Sequence, residues 1–469
     1  MDRTHDCYRR NRLNRRNRLN GLNLLNPLNW MLPMCIFLAA VGLPSLAHPA
    51  WDDVLTHVQP YITLQEEYNS NVDLTPTNER DDFITTISPG LRVSTLKRSP
   101  RTGEFRVPSS SEEEKYGVDL DVQVPIVFYA KDTYDDYIGL LGNLDAWYTF
   151  DRRLTFRVKD YAIRSEEPRE QEYTTGALPG EYILGTERQQ RSTYFRNVFQ
   201  PSVDYQFGRE NLASINYINN VYRNESDLYE DSTENYINPR LGYWFDIRNG
   251  IFLEYGYTLG DFETSPDLIG QMIMGRYIYR FNPTTSVFAD FTYFIRDFDS
   301  PGDDYDIYRP TAGIEHKFSR TLDTRVQLGY FLADPDRASK EDGFFYDIVV
   351  RQLAQRTTYT LAFQGGYTED YFSAENLGFT LYHRGIGTIT HRPLEKMTLG
   401  LSGSVEYADY VSDPGDRKDW IWGIWANASY ELVRWLTASL VGSYTEDDSN
   451  VDIADYTEYR GMFQITAKY

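Results

Sequence analysis

The chain has 469 residues, with 47 Lys and Arg against 69 Asp and Glu, which gives a net charge of −22. Aromatic residues make up 15% of the chain and the mean hydropathy is −0.54, which excludes a bundle of membrane helices and argues against disorder. Such an excess of acidic residues repels phosphate backbones, so the composition predicts no nucleic-acid partner.

The first 47 residues predict a secretory signal peptide. A basic segment rich in Asn and Leu precedes a short apolar stretch, and small residues around Ala47 predict the cleavage point. Cleavage there removes Cys7 and Cys35, so the mature chain would hold no disulfide and no cysteine metal site. We therefore expect export through the general secretion pathway, with 1–47 as the signal peptide and 48–57 as a periplasmic segment.

From residue 58 onward the dominant pattern has a period of two. In 117–130, for example, Val118 and Leu120 alternate with Asp119 and Asp121. Alternation of this kind predicts strands with one apolar and one polar face. The strands are about 12 residues long, which at a tilt near 40° spans roughly 30 Å, the thickness of a bilayer core.

A repeat along the chain predicts the number of strands. An aromatic residue precedes each of several short turns, and these residues form a collar at one end of the strands. We call the residue before each short turn a mark; from residue 207 onward the marks recur every 35 to 40 residues. A polar, acidic loop lies between successive short turns, so each repeat contains one strand that runs up and one that runs down. Ten marks therefore predict about 20 strands, with 18 as the alternative. The aromatic marks read directly from the turn phrases are Phe150, Phe207, Phe245, Phe281 and Phe318.

Short turns on one rim and longer loops on the other are typical of outer-membrane barrels. We therefore predict an all-β fold for 58–469: a transmembrane up-and-down antiparallel β-barrel of the Gram-negative outer-membrane type. The connections should alternate strictly between short and long, with insertions at 97–115 and 165–190. The chain must close on itself, because an open edge in lipid leaves backbone groups unpaired.

The polar parity predicts which side chains line the lumen. This set mixes both signs of charge, which suits a hydrated interior, and it consists of Asp119, Asp121, Asp145, Arg157, Glu254, Asp290, Arg296 and Arg325. The last strand ends in alternating apolar residues, which resembles the signal that the outer-membrane insertion machinery recognises. The residues of this predicted assembly signal are Phe463, Ile465 and Tyr469.

The opening strand pair at 61–91 resembles a known family. Its Tyr68-Asn-Ser-Asn71 turn entry, its Leu74-Thr-Pro-Thr-Asn78 loop, Asp81-Asp82-Phe83 and Ser88-Pro89-Gly90 are similar to beta-barrel porins found with bacterial exopolysaccharide loci. That family includes outer-membrane proteins associated with PEP-CTERM and exosortase systems. The resemblance covers about 400 residues and implies an outer-membrane location and a link to polysaccharide export. It implies no catalytic residues.

No motif in the chain predicts catalysis, a cofactor or a metal site. The histidines show no paired metal-ligand spacing, and Asp448-Ser-Asn450-Val-Asp452 lacks the glycine and the final glutamate of a calcium loop. We therefore predict a non-enzymatic channel for hydrophilic solutes, with exopolysaccharide export as the favoured context. The alternatives are a surface-attachment barrel that works through its acidic loops and a barrel enzyme. Expected partners are outer-membrane lipid, lipopolysaccharide, the insertion machinery and polysaccharide export components.

Overall fold

The computed structural model describes residues 58–95, 115–151, 153–168, 191–226, 229–372, 378–411 and 416–469. The predicted signal peptide and the segment 48–57 lie outside these ranges. Among the described residues, no helix is both long and apolar enough to cross a membrane. A single 3-10 turn, Thr133–Asp135, interrupts the strands.

Twenty-two strand segments form one antiparallel sheet, and apart from β3–β4 and β5–β6 each pairs with the next along the chain. They are β1 (Val58–Asn69), β2 (Asp82–Ser94), β3 (Tyr116–Gln123), β4 (Ile126–Tyr129), β5 (Tyr137–Ile138), β6 (Leu140–Thr149), β7 (Leu154–Ser165), β8 (Tyr194–Phe207), β9 (Asn211–Asn224), β10 (Ser232–Trp244), β11 (Asn249–Phe262), β12 (Leu268–Asn282), β13 (Thr285–Phe298), β14 (Tyr305–Lys317), β15 (Leu322–Pro335), β16 (Glu341–Leu353), β17 (Thr357–Asp370), β18 (Gly378–Leu394), β19 (Met397–Asp409), β20 (Lys418–Val433), β21 (Leu436–Ser449) and β22 (Tyr456–Lys468).

Two pairs of these segments are each one interrupted wall strand. β3 and β4 both pair with β2, and the break between them contains Pro125, which has no N–H to donate to the ladder. β5 and β6, separated by Gly139, pair with β4 and β3 in the same way. Twenty-two segments less these two interruptions leave 20 wall strands. The predicted count of 20 is confirmed, and the alternative of 18 is wrong.

The sheet closes on itself through its first and last strands. β1 pairs antiparallel with β22, so that Leu64 lies opposite Ile465. The closing ladder ends where the Tyr469 N–H donates to the Pro60 carbonyl over 2.9 Å. Closure leaves no unpaired edge, which confirms the predicted up-and-down barrel and satisfies the requirement that lipid places on backbone groups.

The two rims differ as predicted, with one exception. On the rim that holds both ends of the barrel chain, the strands are joined by turns of two to four residues, such as 208–210 between β8 and β9. β2 ends and β3 begins on this same rim, and 21 residues, 95–115, connect them, so the strict alternation of short and long connections was a wrong prediction. Residues 96–114 of this connection lie outside the described ranges. Strands also extend into the polar, acidic loops: β13 ends at Phe298 and β14 begins at Tyr305, which leaves only 299–304 as the loop between them.

The outer face of the barrel carries an apolar belt. Aliphatic side chains such as Leu253, Ile273 and Leu440 are 49%, 50% and 60% exposed, although they lie in the middle of their strands. An apolar surface that encircles the wall exceeds any patch tolerated by a soluble monomer, so this face contacts lipid. The 20 strands therefore expose their apolar parity outward.

Aromatic collars border this belt on both sides. The predicted collar is present at the short-turn rim, where Phe150, Phe245, Phe281 and Phe318 are all more than half exposed. A second collar lies near the long-loop rim, as in β20, where Trp420 is separated from Tyr430 of the first collar by ten residues. At about 3.3 Å per residue and a tilt near 40°, that separation is roughly 25 Å, the height of an outer-membrane apolar band.

Candidate functional site

The inner face of the wall is the candidate solute pathway. Register pairing places the eight residues predicted from sequence on this face, because each is level with polar residues of the neighbouring strands. Asp121 lies opposite Arg92, Glu254 opposite Arg240, and Asp290 opposite Arg276. That these residues line a water-filled channel stays a prediction, as does the assembly signal at Phe463, Ile465 and Tyr469.

Most of these charged residues form an ion pair with a residue on the adjacent strand, so ion pairs occur around the circumference of the inner wall. Such pairs keep lumen charges satisfied without adding net charge to the wall. The pairs are Arg92–Asp119 at 3.1 Å, Arg157 Nε–Asp145 Oδ1 at 2.7 Å, Arg240–Glu254 at 3.3 Å, Arg276–Asp290 at 3.1 Å, Arg325–Asp347 at 3.7 Å, Arg384–Glu406 at 2.6 Å and Arg460–Glu67 at 2.7 Å.

Toward the long-loop rim the inner face is apolar, which the sequence analysis did not predict. Inward side chains from β12 to β18 pack against each other inside the barrel and form what we call the aromatic cluster. Its buried members are Phe294, Ile307, Phe331, Ala333, Tyr367 and Phe379, and Tyr305, Phe345, Met272 and Leu381 pack against them. A second inward group, on β7 to β9, includes Tyr161, Tyr194 and Tyr222.

A glycine in β17 lets this strand contribute to the aromatic cluster. Leu361 and Phe363 are half exposed on the lipid side, so simple alternation would send Tyr367 outward too. Gly366 has a φ of 149°, and the β16–β17 ladder ends opposite Gly365. Beyond this irregularity Tyr367 packs on Phe331 inside the barrel, at 5.0 Å between ring centroids. The bulge thus reverses which parity faces the lumen.

The same reversal brings Glu369 of β17 to Arg296 of β13, and we call this pair the bridge. Arg296 Nε and Nη2 donate to Oε1 and Oε2 of Glu369, both over 2.7 Å, so the contact is bidentate. The Tyr305 hydroxyl also donates to Glu369 Oε1 over 2.6 Å, and it contacts the Tyr371 hydroxyl at 2.7 Å. Both charged side chains are largely buried, with 12% and 14% exposed.

The bridge joins strands that are not neighbours. Three strands separate β13 from β17, and adjacent strands lie about 4.8 Å apart, so the two would be roughly 19 Å apart along a flat wall. Long side chains that meet over this span must project into the lumen. The bridge and the aromatic cluster therefore place side-chain volume inside the barrel and reduce its open cross-section near the long-loop rim.

Hydrogen bonds between loops order the long-loop rim. Arg80, in the β1–β2 loop, pairs with Asp73 at 2.9 Å and with Asp135 of the next loop at 2.6 Å. Glu230, before β10, accepts hydrogen bonds from the backbone and hydroxyl groups of Thr264 and Ser265. Burial alone would raise the pKa of the Glu230 carboxyl, but these hydrogen bonds outweigh it and hold the pKa below its usual value of 4.5.

The described histidines occupy wall positions near the collars. His316 and His391 each contact a hydroxyl group of a neighbouring strand at 2.9 Å, and His383 of β18 contacts the Tyr346 hydroxyl of β16, two strands away, at 3.0 Å. Within the ranges that the structure covers, no three His, Cys, Asp or Glu side chains converge as metal ligands would. That the protein is not an enzyme stays a prediction.

Only part of this arrangement has a signal in the sequence. The inward parity of Arg296 and Asp290 follows from alternation in β13, and the prediction named both. Glu369 and Tyr367 were missed because they take the opposite parity to the preceding half of their strand. The Gly365-Gly366 pair is the signal that could have located the reversal, since glycine within a strand often marks a bulge.

Comparison with known proteins gives similarities of fold at low sequence identity. No curated protein sequence matches this chain. The siderophore receptor PirA from Pseudomonas aeruginosa is similar over 88% of this chain and 80% of its own, with 7% identity and a TM-score of 0.48. OccK3 (OpdO) from the same organism is similar over 91% of this chain and 99% of its own, with 12% identity and a TM-score of 0.41. OccAB4 from Acinetobacter baumannii is similar over 88% of this chain and 98% of its own, with 12% identity and a TM-score of 0.40.

The resemblance found in the sequence has two parts, and the comparisons support only one of them. Its link to exopolysaccharide loci and to PEP-CTERM systems stays a prediction. Its beta-barrel porin part agrees with a family model over the second half of the wall, where residues 267–469 match the family described as Putative beta-barrel porin 2.

Proposed function

We propose that this protein is an outer-membrane channel that passes hydrophilic solutes. One observation carries the proposal: the same 20 strands expose an apolar belt outward and direct paired charges inward. A barrel with only a structural role gains nothing from buried charges, whose desolvation costs free energy even when they are paired. A hydrated passage lowers that cost, because water solvates the free side of each pair.

The favoured setting is export of polysaccharide across the outer membrane. Aromatic rings and charged hydrogen-bonding groups lie together on the inner face, and a sugar ring needs both, an apolar face to stack on and partners for its hydroxyls. Tyr305 and Tyr371 each combine an aromatic face with a hydroxyl group, and their hydroxyls lie at the bridge. Lipid, lipopolysaccharide, the insertion machinery and polysaccharide export components are the partners that this setting requires, and export through the general secretion pathway is the route.

Planar-bilayer recording of the purified mature chain tests the channel. We expect discrete conductance steps from folded protein, where folding is established by strand-rich circular dichroism and by a heat-dependent shift in gel mobility. A folded barrel that inserts and stays electrically silent would overturn the proposal. Swelling of vesicles in neutral oligosaccharides of increasing length would then separate sugar passage from passage of ions alone.

The alternative of a surface-attachment barrel depends on the acidic loops. Most described loops on the long-loop rim are only five to eight residues long, and the contacts of Arg80 and Glu230 hold them to one another. Short, mutually bonded loops favour a fixed channel mouth over an extended adhesive surface. Deleting 299–304 should leave conductance measurable. Loss of cell attachment in that variant with unchanged conductance would instead favour the alternative.

A further inference from the structure

Arg309 of β14 differs from the other arginines of the inner wall. Its guanidinium carbon lies 4.8 Å from the ring centroid of Phe345, 5.3 Å from that of Phe294 and 5.7 Å from that of Tyr367. Its Nε is buried without a hydrogen-bond partner, and so is the hydroxyl of Tyr367. No described carboxylate pairs with it. The guanidinium is thus held by three rings of the aromatic cluster and by no anion.

Arg276 provides the contrast within the same lumen. It also lies over an aromatic ring, 4.6 Å from the centroid of Phe288, but its Nη2 pairs with Asp290 at 3.1 Å. Seven ion pairs around the wall follow this rule, in which an arginine meets a carboxylate of the adjacent strand. Arg309 keeps its stacking rings but lacks the carboxylate, so its donors are left for another acceptor.

We propose that Arg309 and the rings of Phe294, Phe345 and Tyr367 form a binding subsite for a sugar ring that carries a carboxylate group. This inference deepens the proposed function, on which it rests, by assigning a substrate class to the lumen. A guanidinium presents a planar fork of donors that matches a carboxylate in bidentate geometry. Phe294 and Tyr367 are each 8% exposed and hold the guanidinium from behind, whereas Phe345 is only half-buried and offers the apolar surface on which the face of the sugar ring can stack.

The charges around the subsite do not oppose an anion. The charged groups that act on the same rings as Arg309 are the bridge, at Tyr367, and Arg384, Glu406 and Asp347, at Tyr382. Each of these carboxylates has an arginine partner, so Arg309 supplies one uncompensated positive charge. The acidic loops lie at the mouth, and salt screens exposed charges beyond about 8 Å. A carboxylate at Arg309 would also give the terminal nitrogens of the guanidinium an acceptor, while Nε stays buried among the rings.

The short-turn rim favours entry of an anion from that side. Of the eight short turns, seven carry a described basic residue, and four of these also carry an acidic one (Asp151, Glu210, Asp246 and Glu395), which leaves an excess of three positive charges, while the opposite rim is acidic. Charge of one sign at an entrance raises the local concentration of the opposite ion and its rate of capture. An anionic sugar would therefore be captured mainly at the short-turn rim, where β1 follows the predicted periplasmic segment 48–57. The basic turn residues are Arg153, Arg209, Arg248, Arg320, Arg356, Lys396 and Arg434.

Equilibrium binding to the whole mature barrel in detergent micelles tests the subsite. The probes are galacturonate and galactose, which share one ring and differ in the carboxylate. The variants are Arg309→Gln, which removes the charge, and Arg309→Lys, which keeps the charge but loses the fork. The control is the double variant Arg276→Gln with Asp290→Asn, which removes a paired arginine of the same lumen without changing the net charge.

We expect galacturonate to bind more tightly than galactose, and Arg309→Gln to weaken galacturonate binding about tenfold with little change for galactose. Arg309→Lys should recover only part of the loss, and the control should bind as the parent does. Equal binding of the two sugars, or equal weakening in the control, would overturn the subsite. Binding is measured by calorimetry, which does not depend on conductance. A barrel that binds galacturonate but conducts no current in bilayers would therefore refute the proposed channel function and support the proposed subsite.

Monomer and polymer sources of the carboxylate are then separated in the same assay. Free galacturonate and oligogalacturonate are compared at equal carboxylate concentration. A polymer substrate should bind more tightly per chain, because neighbouring rings reach the Tyr305 side of the aromatic cluster. Equal affinity would assign the subsite to a small solute, and preference for the oligomer would assign it to an exported polymer.

Discussion

Two ion pairs of the lumen, Arg276–Asp290 and Arg296–Glu369, have the same chemistry and different consequences. Both are largely buried, and both carry one arginine and one carboxylate. Arg276 and Asp290 lie opposite each other on paired strands, which the backbone ladder already holds together. Arg296 and Glu369 lie on strands with three others between them, where no ladder joins them.

The comparison shows that position in the sheet decides what a salt bridge can do. A pair between neighbouring strands adds to a wall whose shape is fixed by hydrogen bonds. A pair between distant strands is a constraint on the lumen itself, since it holds inward side chains together across the interior. Energetic cost and functional effect can therefore be separated by breaking each pair in turn.

The largest expected effect comes from removing one partner of each pair. Arg296→Ala and Arg276→Ala each leave a buried carboxylate without its cation, which should lower the free energy of unfolding by about 3–5 kcal/mol. Only Arg296→Ala should also raise single-channel conductance, because only the bridge crosses the lumen. Denaturant unfolding in lipid vesicles and bilayer recording measure the two effects.

Exchange of the bridge charges controls for simple loss of a residue. Arg296→Glu combined with Glu369→Arg restores opposite charges, so conductance should return toward that of the parent. If Arg276→Ala raises conductance as much as Arg296→Ala does, the lumen is not shaped by the bridge and the comparison fails.

The comparison also requires that the two faces of the wall meet different solvents. Leu440 is 60% exposed in the middle of β21, and the preceding Ser439 takes the inward parity. Leu440→Arg should cost about 2–4 kcal/mol of folding free energy in vesicles, as arginine does near the bilayer midplane. Ser439→Arg should cost much less, because its charge enters the lumen. Equal costs would mean that water, not lipid, contacts the outer face.

A smaller effect is expected from the glycine that turns β17 inward. Gly366→Ala places a Cβ 2.9 Å from the Phe345 ring, at a φ of 149° that side chains rarely adopt. We expect a loss of about 1–3 kcal/mol in unfolding free energy, together with a weakened bridge and higher conductance. Gly461→Ala is the matched control, since a Cβ there meets nothing within 4 Å. A stable variant with parental conductance would show that the reversal does not depend on Gly366.

The smallest expected effect is a local pH dependence at the mouth. The pKa of Glu230 is lowered in the folded state, so its contribution is fully present above about pH 4.5 and is lost as the pH falls through the folded value. Amide exchange at Thr264 and Ser265, corrected for its intrinsic rate, should therefore accelerate in acid. Glu230→Gln should lower protection at neutral pH and remove this dependence. Protection that stays constant in acid throughout the range in which the barrel remains folded would contradict the assignment.

Alternation in the sequence determined the strands and the outward face, and it predicted the parity of the candidate lumen residues. Each strand of this kind has only two faces, so residues such as Asp121 and Glu254 could be assigned by counting. The repeat of turns likewise determined 20 strands, because every up-and-down pair consumes a similar length of chain. Strict alternation of short and long connections failed at 95–115, because a repeat of strand pairs does not limit how much chain a single turn can contain.

The tertiary structure alone decided which inward residues meet. The bridge depends on the curvature of a closed wall, which brings β13 and β17 together inside the ring, and on the backbone reversal at Gly366, which local alternation conceals. The aromatic cluster and the unpaired Arg309 arise in the same way. Sequence pattern fixes a side chain's face through local geometry, but contacts across a barrel depend on closure, a property of all 20 strands together.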